Sequence, residues 1–244
     1  METWRWMDTG ACAPAFNMAL DEALMLCVER PVLRFYAWEP PAISLGYFQR
    51  AAEVDVNALR AAGHVVVRRQ TGGGAIYHIN ELTYSIALPR GHPLAESTRR
   101  AYGVVHSAIA EALSRLGVPA RLRGETEERP EPERFCFERT IFCDIVTADD
   151  RKIVGSAQRR TASGFLMHGS IPLEPNPLAP SAASVNPSAP RRVTYDALKA
   201  AVSRALIDAT GVALRVSEAT PQERKTAGRL VKDKYGSDTW TLRR

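Results

Sequence analysis

His64-Val-Val-Val-Arg-Arg-Gln-Thr-Gly-Gly-Gly-Ala-Ile-Tyr-His78 holds more structural information than any other stretch of this chain. Val65, Val66 and Val67 are β-branched and predict a strand, and residues 75–78 predict a second. Between them Gly72, Gly73 and Gly74 carry no Cβ, so the backbone can take positive φ and bring its N–H groups close to a ligand. A tight or bulged hairpin turn uses glycines in the same way. The residues after the cluster exclude two chemistries. A nucleotide phosphate loop needs Lys-Ser/Thr and then a helix, and the dinucleotide fingerprint also opens a helix; here the next element reads as a strand. Arg68 and Arg69 stand before the glycines, with Tyr77 and His78 after them. An arginine pair beside open backbone amides suits an anionic group such as a phosphate or carboxylate.

Outward from this centre, strands are expected at residues 3–7, 32–37, 42–47, 82–88 and 165–173. A hairpin is expected at 142–147 and 152–156, around Asp149-Asp150. Phe16, Ala19, Leu20, Ala23, Leu24 and Cys27 share one face of a predicted helix, with Asp21, Glu22 and Glu29 off it. A short helix at 55–62 ends at Gly63, and a longer one from Ser97 carries Tyr102, Val105, Ile109 and Leu113 to a stop at Gly117. Two helices close the chain, the last with Thr220, Pro221 and Glu223 forming a capping box. Residues 124–135 lack apolar periodicity and read as a mobile surface loop, and the proline-rich 172–192 segment reads as irregular. Regular βαβ alternation is absent. The expected class is α+β, a mixed and largely antiparallel sheet flanked by helices, in one domain spanning 1–244.

With 45% hydrophobic and 24% charged residues, the 244-residue chain can bury a core without covalent staples. Cys12, Cys27, Cys136 and Cys143 have no metal-ligand or disulfide-ladder spacing, so reduced thiols in a cytoplasmic setting are expected. No apolar run is long enough for a membrane span. Met1 to Trp6 shows no signal-peptide pattern. His64, His92 and His106 also lack ligand spacing, so no metal is expected. The net charge of +5 includes five arginine doublets scattered among acids. A solvated surface explains them, as would acidic partners. A nucleic-acid module would want basic residues interleaved with aromatics, which are missing here.

Arg68 through His78 resembles the signature of the biotin/lipoate ligase and octanoyltransferase superfamily. Arg151-Lys-Ile-Val-Gly-Ser-Ala-Gln158 resembles the lysine motif of that family, and His168-Gly-Ser-Ile-Pro172 its next strand. The resemblance runs from Trp4 to Trp240. It implies the class II synthetase-like catalytic fold of that superfamily. It also implies a pocket walled by Arg68, Arg69, Gly72, Gly73, Gly74, Ala75, Tyr77 and His78. The amine of Lys152 would point into this pocket, with Gly155, Ser156, Ala157, His168 and Gly169 lining the acyl site. A lone strand lysine otherwise points to water.

Two branches of the family differ in activation. Ligases make an acyl-adenylate from ATP and a free acid, whereas octanoyltransferases take the acyl group from acyl carrier protein onto a nucleophile. Cys136-Phe-Glu138 lies 16 residues before Lys152 and resembles the nucleophile segment of the transferase acting on the glycine-cleavage H protein. A thiol of pKa about 8.5 becomes more nucleophilic beside an ammonium, a role Lys152 would fill. Cys143 is the competing thiol, although its predicted strand suits packing. On this reading no cofactor is needed, the partners are acyl carrier protein and a lipoyl-domain acceptor such as the H protein, and the enzyme is a monomer. The chain ends without the extra C-terminal domain of many lipoate ligases, which also favours the transferase. An ATP-dependent lipoate–protein ligase remains the alternative.

Overall fold

The computed structural model describes residues 1–124 and 143–244. Strand β1 (Thr3–Cys12) leads into helix α1 (Pro14–Leu26), whose Pro14 needs no N–H in the first turn. Next come β2 (Val32–Trp38), β3 (Ala42–Leu45), α2 (Val56–Ala61), β4 (Val65–Arg68), β5 (Ile76–His78) and β6 (Glu81–Pro89). Asp55 caps α2 by accepting from the N–H of Ala58 at 3.1 Å. Helix α3 (Thr98–Arg115) and β7 (Ala120–Leu122) precede residues 125–142, and β8 (Ile145–Thr147), β9 (Lys152–Arg160) and β10 (Gly164–Pro172) come after them. The rest comprises α4 (Val185–Ser188), α5 (Tyr195–Thr210), β11 (Ala213–Val216), α6 (Pro221–Leu230), a π turn at Val231–Tyr235 and α7 (Asp238–Thr241).

Eight strands form the main sheet in the order β11-β1-β2-β6-β10-β9-β8-β7. β1 is parallel to both of its neighbours, and every later pairing is antiparallel. A second sheet, β4-β3-β5, carries the glycine segment between its two outer strands. The expected α+β class, with a mixed and largely antiparallel sheet, is what the chain forms.

Alternation along β2 explains the layering. Leu33 and Phe35 face a core built with α3 and α5, and Tyr36 and Trp38 face the opposite core with α1 and α6. The middle strands are buried on both faces, and the polar residues within them, Arg34, Ser85 and His168 among them, are buried too. No helix among the described residues is long and apolar enough to cross a membrane.

Three expectations need correction. Strand β1, expected at 3–7, runs on to Cys12. β11 was not expected at all: it is a short, partly exposed edge strand without an apolar run. The 172–192 segment contains the helical turn α4, where Pro187 costs little because a first turn leaves its N–H groups unpaired anyway. Asn186 holds that turn, donating to Glu174 at 2.8 Å and accepting from the N–H of Val193 at 2.7 Å. Residues 125–135 of the predicted loop lie outside the described residues.

Candidate active site

A cavity of about 610 Å³ opens between the glycine segment and strand β9. Gly72, Gly73, Gly74 and Ser44 line one side of it, and Gly155 to Gln158 with Tyr102 of α3 line the other. Met18, Tyr36 and Trp38 give it apolar surface, and His168, Gly169 and Ser170 come from β10. The size and mixed lining suit a small organic ligand.

The two arginines of the first motif hold backbone, Arg69 that of the glycine loop and Arg68 that of the segment after β3. Arg69 donates to the carbonyls of Gly72 at 2.7 Å and Gly74 at 2.8 Å, and to Ser44 O at 2.8 Å. Arg68 is fully buried and donates to the carbonyls of Gly46, Gln49 and Thr241. Strand β3 exits through Gly46, where an added Cβ would fall 1.8 Å from the carbonyl oxygen of Gly73. Two backbones therefore touch with nothing between them.

Arg69, the three glycines and His78 reach the cavity, while Arg68 faces away from it as a strut. Ala75 and Tyr77 also face away, into a separate core with Ile43 and Leu45, because alternation along β5 gives only Ile76 and His78 to the cavity.

Two buried polar groups fix the cavity floor. His78 stacks on Trp38 at 3.9 Å and donates through Nδ1 to Glu81 at 2.7 Å, while its Nε2 meets Ser44 Oγ at 2.7 Å. Burial holds His78 below the ordinary histidine value despite the opposing pull of Glu81. Asp21 of α1, fully buried, receives Arg34 at 2.8 Å, Tyr36 at 2.8 Å, Ser85 at 2.7 Å and His168 at 3.0 Å. Burial alone would raise the Asp21 carboxyl, but His168 and Arg34 outweigh it and hold the group below its ordinary value. The other ring nitrogen of His168 meets Thr71 Oγ1 at 2.6 Å, so the residue before the glycines is tied to α1 through β10.

Lys152 sits at the start of β9 with its side chain 3% exposed, its amine 2.8 Å from Asp144. A Cβ on Gly155 would lie 2.9 Å from that amine, so the missing side chain makes room for it. Lys152 is thus among the residues that line the cavity.

Ser156 is the centre of a second network. Its hydroxyl donates to His106 Nε2 at 2.7 Å and accepts from Tyr84 at 2.5 Å, and its carbonyl accepts from Tyr102 at 2.9 Å. The Nδ1–H of His106 donates to the carbonyl of Cys143, which fixes the neutral tautomer. Burial drives the His106 pKa down to about 4. Cys143 is buried in the core and its thiol is not among the groups lining the cavity. Cys136, the expected nucleophile, lies outside the described residues.

Residues 13–206 match the lipoyl protein ligase A/B catalytic domain, and the chain belongs to that family. Over its full length it is 36% identical to Octanoyltransferase LipM of Kyrpidia tusciae, which is also covered completely. That alignment spans 276 residues against the 244 of this chain, so the relative carries insertions. Among solved structures, protein Ta0514 of T. acidophilum with bound lipoic acid matches with a TM-score of 0.84 at 25% identity, covering all of both chains. Lipoate-protein ligase A bound with ATP matches at 0.82 and 25% identity, covering 99% of each.

Proposed function

We propose that the protein is an octanoyltransferase of protein lipoylation. It would move octanoyl from acyl carrier protein, through a thioester on Cys136, to a lipoyl-domain lysine such as that of the glycine-cleavage H protein. The observation that carries this reading is the buried Lys152–Asp144 pair set over Gly155, in the wall of a cavity with apolar surface. End-to-end similarity to an octanoyltransferase supports it.

The chemistry runs in two balanced steps. The Cys136 thiolate attacks the donor carbonyl, a new S–C bond forms, and the carrier thiolate leaves. The acceptor amine then attacks that thioester, an amide bond forms, and the Cys136 sulfur departs with the amine proton going to base or water. The first step exchanges one thioester for another, and the second runs downhill to an amide. Lys152 favours the thiolate and offers an N–H donor to the developing oxyanion. No ATP enters this route.

Incubation with octanoyl carrier protein in the absence of ATP tests the proposal by intact mass. A hydroxylamine-labile octanoyl adduct should appear on the wild type and be lost in Cys136→Ala. A Cys136→Ala enzyme that modifies the acceptor at the normal rate would end the covalent route. Similarity to a ligase solved with ATP keeps a second reading in view, the ATP-dependent ligase. Strict dependence of acceptor modification on ATP and free lipoate would select it.

A further inference from the structure

Next to Phe48, at the edge of the cavity, guanidinium groups stack on aromatic rings. Phe48 lines the cavity and is 64% exposed, so its ring marks the opening. Tyr47 meets it edge-on at 4.8 Å. Above the Tyr47 ring lie Arg243 at 3.7 Å and Arg159 at 4.5 Å, and Arg244 lies 5.6 Å from the Phe48 ring. Stacking holds such planar heads flat while their N–H edges stay able to donate. Two of those edges are used locally, Arg243 on Tyr47 O at 2.9 Å and Arg159 on Gln70 O at 3.4 Å.

Among the described residues no carboxylate lies within ion-pair distance of Arg159, Arg243 or Arg244. Burial first, and then Arg243, Arg244 and Arg69, depress Arg68 behind them to about 10, with exposed Glu53 pulling the other way. The two stacked arginines likewise hold the Tyr47 hydroxyl below the ordinary tyrosine range, Arg243 more than Arg159. Like charges gathered at the mouth of a low-dielectric cleft concentrate field on whatever anion passes there.

The anion is set by the geometry of delivery. A donor whose octanoyl chain fills the cavity must lead its thioester arm out past Phe48. On a phosphopantetheine arm the first charge beyond the thioester is a phosphate, and the arginine fork matches phosphate oxygens. Carboxylates of an acidic acceptor surface would be spread over a face, whereas these three guanidiniums converge on one aromatic pair. We infer that Arg159, Arg243 and Arg244 form a phosphate cradle that seats the phosphopantetheine arm of the acyl donor. The inference rests on the octanoyltransferase reading.

Its test compares octanoyl-phosphopantetheine with octanoyl-pantetheine, which lacks the phosphate, as donors to a lipoyl-domain acceptor. Charge-assisted hydrogen bonds of this kind predict a preference in kcat/KM of roughly tenfold or more for the phosphorylated donor in the wild type. In an Arg159→Ala/Arg244→Ala variant that ratio should fall towards one. Equal rates with both donors in the wild type would overturn the cradle without any variant having to fold. A variant that keeps the preference but shows a raised KM for the acceptor would overturn it in favour of an acceptor-docking surface. A wild type inert to every thioester donor would overturn the octanoyltransferase reading itself.

Discussion

The amine of Lys152 stands 2.8 Å from Oδ2 of Asp144, with both side chains almost wholly withdrawn from water. A buried pair of this kind punishes removal of one member more than removal of both, because a lone buried charge keeps its desolvation cost. Lys152→Met should therefore cost about 3–5 kcal/mol in urea unfolding, and adding Asp144→Leu should restore part of it. Neither variant should transfer octanoyl. Activity in the restored double variant would show that the amine serves the fold alone.

Two glycine substitutions should separate from each other. In Gly155→Ala the new methyl meets the flexible end of Lys152, 2.6 Å from Cε, so the amine shifts and transfer slows with little change in melting temperature. In Gly46→Ala it meets the Gly73 carbonyl, which is backbone and cannot step aside. That variant should lose about 1–3 kcal/mol along with activity. Thermal melts and turnover measured side by side decide the matter, and equal melting temperatures for the two variants would contradict it.

His106 predicts a dependence of stability on pH. Its pKa of about 4 in the fold lies below the value of 6.5 it takes when unfolded, so between those values the unfolded chain binds more protons. The stabilisation is complete above pH 6.5 and is lost as pH falls towards 4, a difference worth about 3 kcal/mol. Buried His78, also held low, adds in the same direction. Urea unfolding of His106→Gln should show a flatter pH profile than the wild type between pH 7 and 5. Parallel profiles would contradict it.

Asp21→Ala should be among the most damaging single changes. It strands the buried guanidinium of Arg34 and removes the partner of Tyr36, Ser85 and His168 together. The expected loss is about 3–5 kcal/mol, measured by chemical denaturation. A loss as small as that of a surface pair, below about 1 kcal/mol, would mean the network carries no strain when opened.

The glycine stretch was legible because a run of residues without Cβ marks a backbone that can come close to a ligand. Lys152 stood out through the resemblance of its motif to that of the family, since a strand lysine by itself points to water. Asp21 was not legible. It stands beside Glu22 on a helix and reads as part of a solvated face, though it is fully buried. The usable signal was at the other end of the pair: Arg34 lies within an apolar strand and requires a buried partner. Asp144 carried a similar clue, a single acid in an apolar run just before a hairpin whose far strand begins with Lys152. Tyr84, Tyr102 and His106 were hidden because their contacts to Ser156 cross from β6 and α3 to β9, and no local pattern encodes such distances. For Arg68, Ala75 and Tyr77 the motif was legible while the direction of each side chain was not, since that depends on how the small sheet sits.

The contact between Gly46 and Gly73 makes one side of the cavity behave as a single piece. Any tilt of the glycine segment pulls on the exit of β3 and on Arg69, which grips its carbonyls. The opposite wall is held another way, by side chains reaching across to backbone: Tyr102 of α3 donates to the carbonyl of Ser156, and Gln158 of β9 to that of Thr98. One wall is thus braced backbone against backbone and the other side chain against backbone, so substitutions on α3 can reshape the cavity where the glycine segment cannot yield.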